Sequence, residues 1–264
     1  MKEIISLTLK GIFRDRIFQG IMALAVLFLA IPSAATLSMR QVTELSTTLS
    51  LSLISFILLL LSVFLGATSI WKDVERRYTF SVLSLPISRS SYLVGRFFGI
   101  SLFLVMTAAC LGAVACCVIK VASFGYPASR PIAWDIFVIT IIFDALKYIV
   151  LVAVALLLSS ISTSFFLPVF GTIVIFMSGT ITQQVYDFVH SFSGSKAINP
   201  FLQKIVLAVY YLLPNLSGFD LKVNAIYSIP LSPKGMALSF GYFLAYTSIV
   251  LAAAALLFMR REMK

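Results

Sequence analysis

Charge is what this chain has least of. Asp, Glu, Lys and Arg make up 11% of its 264 residues, against roughly a quarter in an ordinary soluble domain, which excludes a soluble globular fold. Histidine is nearly absent. The single His190 excludes paired-histidine haem ligation and leaves no set of His, Cys and carboxylate side chains at metal-ligand spacing; it reads as a solvated loop residue. The three cysteines, Cys110, Cys116 and Cys117, fall in one apolar run, two of them adjacent. That arrangement gives no disulfide framework and reads as small packing residues. No GxxxxGK[ST] phosphate loop occurs, so the chain does not itself hydrolyse nucleotide by that route. Ser178-Gly179 near His190 does not make an intramembrane serine protease, because Phe176 stands where a glycine is needed two residues before the nucleophile. The chain is therefore expected to be no enzyme and to bind no cofactor of its own.

What the chain does have is apolar length. Sixty per cent hydrophobic residues and a mean hydropathy of +1.04 come with runs of roughly 18 or more residues, each long enough to cross a bilayer. The runs predict six transmembrane helices at about 17–39, 48–70, 97–119, 136–158, 164–183 and 236–258. With short connections these consume the length, so residues 1–264 form one all-α integral membrane domain. Pro32 is expected to kink the first span, which is read as uncleaved because its lead-in carries Glu3 and Asp15. Residues 40–47 read as a polar turn, and 120–135 as a loop because of Gly125, Pro127 and Pro131. Residues 159–163 form a minimal link.

The net charge of +10 is explained by membrane topology and headgroup contact, so no nucleic-acid partner is expected. With the N-terminus inside, the inner segments hold Lys2, Lys10, Arg14, Arg16, Lys72, Arg76, Arg77, Arg89, Arg96, Arg260, Arg261 and Lys264. The longer outer segments hold Arg40, Lys120, Arg130, Lys196, Lys204, Lys222 and Lys234. The density is more than double inside, which places both termini and residues 72–96 in the cytoplasm. Residues 1–16 form an amphipathic interfacial helix: Ile5, Leu9, Ile12 and Phe13 share one face, and Lys2, Ser6, Lys10 and Arg14 another. On the outer side, Asn199 is a plausible cap and Pro200 a first helical residue, with Pro214 as the stop. This short helix is interfacial or re-entrant, and residues 219–227 return along the surface to the last span.

Two polar features stand out. Asp144 and Lys147, spaced i,i+3, are charges well inside a span and form a candidate intramembrane polar pair. Residues 72–96 are the one long charged stretch between apolar runs. There Val74, Tyr78, Val82 and Leu85 make one helical stripe, while Glu75, Arg76 and Thr79 lie off it. Pro86 ends that helix, and Ser88 is placed to cap a second one running through Arg89, Tyr92 and Gly95 into the third span. A short amphipathic helix followed by a sharp turn can dock into a partner's groove.

That stretch, VERRYTFSVLSLPISRSSYLVGRFFG, resembles the signature region of the permease subunits of type-2 ABC transporters. Glu75, Arg76, Arg77, Thr79, Leu83, Leu85, Pro86, Ile87, Ser88, Arg89, Tyr92, Gly95 and Arg96 carry the match, and Tyr78 stands where many members have glycine. The outer segment YYLLPNLSGFDLK (210–222) looks like the family's segment before its last span. The nearest resemblance is to small permeases of the nitrous-oxide-reductase-maturation kind. The resemblance implies a permease homodimer or heterodimer in a bacterial-type cytoplasmic (inner) membrane, driven by a separate ABC ATPase subunit that binds ATP and Mg. It implies a cytoplasmic coupling helix between spans two and three, with Val74, Glu75, Arg76, Arg77, Tyr78, Thr79, Val82, Leu85, Pro86 and Arg89 as the ATPase-coupling residues, and it favours export. A membrane anchor or assembly subunit without transport is the alternative. The spans offer apolar and small hydroxyl side chains, compatible with a lipid, drug, peptide, sulfur or metal cargo.

Overall fold

The computed structural model describes residues 2–28, 31, 42–75, 88–125, 132–191 and 199–260. In chain order the described helices are α1 (Lys2–Phe13), α2 (Arg16–Phe28), α3 (Val42–Glu75), α4 (Arg89–Gly125), α5 (Trp134–Ile161), α6 (Phe166–His190), α7 (Pro200–Leu212), α8 (Lys222–Tyr227) and α9 (Pro233–Arg260), with a single 3₁₀ turn at Ser217–Phe219 before α8. No strand occurs among the described residues. Among the described residues, five helices, α3, α4, α5, α6 and α9, are long and apolar enough to cross a membrane. Of the first expected span the structure describes α2, as far as Phe28, and residue 31. Residues 32–39, with Pro32, lie outside the described residues.

α5 is the axis of the bundle, in contact with α3, α4, α6, α8 and α9. Its sequence is apolar on every side, so it has no face suited to water. Val150, Leu151, Val152, Ala153, Ala155 and Leu156 are all at most 0% exposed. Close approach of α3 is made possible by Gly66, where an added Cβ would meet the Ala155 Cβ at 2.6 Å. α6 and α9 lie at the periphery, with Phe170, Val174, Met177, Leu244, Ile249 and Leu256 exposed, as suits lipid or a partner chain.

Four expectations need correction. Residues 42–47 are not a turn but the first turns of α3: Thr47 and Thr48 satisfy their hydroxyls on the Thr43 and Glu44 carbonyls at 2.8 Å, so polar residues continue the helix. Likewise the expected loop 120–135 is helical at both ends, α4 running to Gly125 and α5 starting at Trp134, while 126–131 lie outside the described residues. Val42 and Ala122 are buried against each other, which rewards extending both α3 and α4. His190 is no loop residue. It closes α6, exposed, with Nδ1 2.9 Å from the Tyr186 carbonyl and its ring stacked on Tyr186 at 4.1 Å. Finally, residues 219–227 do not run along the surface. Phe219 is 1% and Ala225 3% exposed, and α8 wedges against α3 and α5, because the segment's apolar side chains find a groove there.

Local signals held. The Asn199 side chain caps α7, its Oδ1 accepting the Phe201 N–H at 3.0 Å, with Pro200 in the first turn. α7 has 13 residues, short of a span. At the start of α4, Ser88 Oγ accepts the Ser91 N–H at 3.2 Å. The three cysteines are free.

Candidate functional site

One end of the bundle gathers the close of α3, the start of α4, the α1–α2 corner and the last turn of α9. The two chain ends that flank residues 76–87 emerge here. Lys72 and Asp73 are neighbours in sequence and so point about 100° apart on α3, each to a different element. Lys72 Nζ reaches Asp15 Oδ2 at 2.5 Å. Asp15 also caps α2, its Oδ1 accepting the Ile17 N–H at 3.0 Å, so one carboxylate ties α3 to the corner. Asp73 turns to α4 and accepts from both the Tyr92 hydroxyl and the Arg96 guanidinium. Arg96 Nε–H donates to the Tyr92 hydroxyl oxygen at 3.1 Å, closing a three-residue ring of polar contacts. Tyr92 is 1% exposed and stacks on Phe258 of α9 at 6.4 Å.

Arg89, the first residue of α4, donates from Nη1 to the Met259 carbonyl at 3.3 Å, where a cation also complements the negative end of the α9 dipole. Trp71 donates its backbone N–H to Ser159 Oγ at 3.2 Å, and its ring meets Phe165 at 5.4 Å, which joins α3 to the α5–α6 link. α1 is held on α4 by Gly95 and Gly99. Added Cβ atoms would meet Ile4 at 2.8 Å and Thr8 at 2.7 Å, so only glycine lets the two backbones approach this closely. Every element at this end is thus tied to one flank or the other of residues 76–87.

Of the expected coupling residues, Val74 and Glu75 form the last turn of α3 and Arg89 opens α4. Arg76, Arg77, Tyr78, Thr79, Val82, Leu85 and Pro86 lie outside the described residues. Sequence reasoning missed Asp15 and Asp73 as the acidic partners, and the docking role of Gly99. The signals were present: an adjacent Lys-Asp pair at the end of a span, and a G-x-x-x-G spacing at 95–99.

A second polar site lies inside α5. Asp144 and Lys147 are each 4% exposed, and Lys147 Nζ lies 3.1 Å from Asp144 Oδ1. Ser55 of α3 donates its hydroxyl to Asp144 Oδ2 at 2.5 Å. Lys147 also sits over the Tyr148 and Phe176 rings, at 4.9 and 6.0 Å. The pair is therefore hydrogen-bonded and covered, the condition under which buried charge is tolerated. Thr140 Oγ1, two turns along α5, donates to the Leu221 carbonyl at 3.3 Å and brings the start of α8 over this site. Burial pushes the neighbouring Lys222 amine below its ordinary range, while the Asp144 and Asp220 carboxylates oppose that shift.

At the opposite end of the bundle, neutral groups hold the outer segment. There Gly179 accepts the Leu216 N–H at 3.1 Å, and Gln183 Oε1 accepts from Asn215 Nδ2 at 2.7 Å and the Tyr210 hydroxyl at 3.1 Å. The Tyr242 hydroxyl oxygen accepts the Asn215 N–H at 2.9 Å, and the Tyr246 hydroxyl donates to the Leu212 carbonyl at 3.2 Å.

A family model described as ABC-2 family transporter protein matches residues 4–263. No curated protein matches the chain. The match covers the bundle, the polar joint and the outer segment together. The chain belongs to the ABC-2 transporter family: it is a membrane permease subunit of an ABC transporter, a transport component that is not itself an ATPase and that works with a separate ABC ATPase subunit.

Proposed function

We propose that residues 74–85, closed by the Pro86 turn, are the coupling helix on which the ATPase subunit acts, and that the polar joint beside it carries its movement into the spans. The observation that carries this reading is that both flanks of the segment are tied down: Lys72 and Asp73 on one side, Arg89, Tyr92 and Arg96 on the other. Movement of either flank would therefore carry α1, α4 and α9 with it. Glu75, Arg76, Arg77 and Arg89 are the residues assigned to the ATPase contact or to holding the joint. The basic-residue bias supports placing this end and both termini in the cytoplasm of a bacterial-type inner membrane. ATP and Mg belong to the partner, two permeases pair around two ATPase subunits, and the motif's resemblance favours export. The nitrous-oxide-reductase-maturation subtype is assigned on the motif alone.

The test is cross-linking in the co-expressed complex. A cysteine at Val82 is expected to cross-link to the ATPase subunit, whereas one at Lys234, on the opposite end, does not. Failure of any nucleotide-binding subunit to co-purify sinks the reading.

A further inference from the structure

A cleft of about 390 Å³ opens at the end of the bundle opposite the joint, between α7, the 3₁₀ turn and α9. Five aromatic rings line it, those of Tyr210, Tyr211, Phe219, Tyr242 and Tyr246, and among the described residues no charged side chain does. The ring planes cross: Tyr211 stands edge-on to Tyr210 at 79°, and Phe219 is tilted 45° to Tyr242. Crossed planes make a bowl, suited to a rounded group rather than to a flat one held between parallel rings. The bowl is fixed from behind. The Tyr210 hydroxyl donates to Gln183 Oε1 and the Tyr246 hydroxyl to the Leu212 carbonyl, while Tyr210 stacks on Tyr186 at 4.3 Å. Two hydroxyl hydrogens stay unspent among the described residues. The Tyr242 oxygen accepts the Asn215 N–H but its hydroxyl donates to no acceptor, and the Tyr211 hydroxyl, on a residue 71% exposed, makes no hydrogen bond.

We infer that the cleft binds a zwitterion made of a trimethylammonium group and an anionic oxygen, the chemistry of a phosphocholine headgroup or of a small soluble betaine. Aromatic faces attract a cation through their quadrupole and need no lone pair to do so, so every hydrogen bond now made around the cleft is kept. A trimethylammonium is round and has no N–H, so it gains from the ring faces and loses nothing for want of a carboxylate. A primary ammonium has three donors to satisfy, and the cleft offers it no acidic side chain. The ligand's anionic oxygen accepts from the unspent hydroxyls of Tyr211 and Tyr242, in hydrogen bonds strengthened by its charge. A bare cation leaves those donors unused. A ligand with no net charge also suits a lining with none. This binding stands apart from the transport reading, because it requires only the folded permease.

The test is isothermal titration calorimetry of the full-length chain in a maltoside detergent, which carries no choline. Glycerophosphocholine is expected to bind about tenfold more tightly than its isostere with a neutral carbon in place of the nitrogen, and than glycerophosphoethanolamine. Tyr211 is exposed, so its variants fold. Tyr211→Leu removes a ring and should weaken both glycerophosphocholine and choline about fivefold. Tyr211→Phe keeps the ring and should weaken glycerophosphocholine about threefold while leaving choline unchanged. Repeating the wild-type titration in nanodiscs separates the two sources. Phosphatidylcholine discs abolish glycerophosphocholine binding when the lipid is the ligand, and match phosphatidylglycerol discs when a soluble betaine is; either result supports the site. Equal affinity for the charged and neutral isosteres overturns the inference, as does an unchanged glycerophosphocholine affinity in Tyr211→Leu.

Discussion

The two ends of this bundle are closed by different chemistry. At one end, the Asp15–Lys72 and Asp73–Arg96 ion pairs join the α1–α2 corner to α3, and α3 to α4, beside the flanks of segment 76–87. At the other, an inserted outer segment is held by neutral groups: tyrosine hydroxyls, amides and the backbone of Gly179. Ion pairs at a membrane edge are strong enough to fix geometry yet exchange partners and respond to salt. Neutral hydrogen bonds among stacked rings respond to neither salt nor pH near neutrality. The charged end is thus suited to relay a partner's movement, and the aromatic end to seal the bundle at the interface, where tyrosine rings sit well.

The largest expected effect lies between the ends and gives the scale for charge without water. Lys147→Ala strands the Asp144 carboxylate in the core, and thermal unfolding in detergent should show a loss of about 3–5 kcal/mol. Asn at 144 with Met at 147 should recover most of it. Next, Gly179→Leu breaks the neutral end: its Cβ would collide at 2.5 Å with the Pro214 carbonyl oxygen, a backbone atom that cannot step aside as a side-chain end could. A loss of about 3 kcal/mol is expected, with protease cleavage of the released segment 213–221 as a local readout. At the charged end, Arg96→Met leaves Asp73 and Tyr92 without their shared donor, with side-chain exposures of 15% for Arg96 and 14% for Asp73 before the change. The expected cost is about 2 kcal/mol, shrinking in high salt. Tyr242→Phe removes only the acceptor for the Asn215 N–H, so about 1 kcal/mol is lost and salt leaves it unchanged. If the last two respond to salt alike, the contrast between the ends is wrong.

How much of this was legible in the sequence depended on how local the cause was. Caps at Ser88 and Asn199 are set by side chains two or three residues from their partners, and the chain carries them openly. The bilayer-length runs were equally visible because burial in lipid demands them. Helix ends were not, since polarity marks where water begins and not where hydrogen bonding stops; Thr47 and Thr48 bond back into their own helix and carry α3 outward through polar residues. Pairings across the fold were hidden for a different reason. Asp15 and Lys72 are 57 residues apart, and no periodicity relates them. The wedge of α8 escaped because Phe219 and Ala225 are too few to distinguish an inserted turn from a surface one until the groove between α3 and α5 exists.

The central claim is that the charged joint transmits motion from residues 76–87 to the far end of the bundle. Spin labels on cysteines replacing Tyr211 and Leu238, both exposed at the aromatic end, report that motion by pulsed electron paramagnetic resonance once Cys110, Cys116 and Cys117 are replaced by serine. In the permease–ATPase complex, trapping with ATP and vanadate is expected to shift the distance between the labels. With Asp73→Ala and Arg96→Ala together the shift should vanish while ATP hydrolysis continues. A shift of unchanged size in that variant would contradict the account.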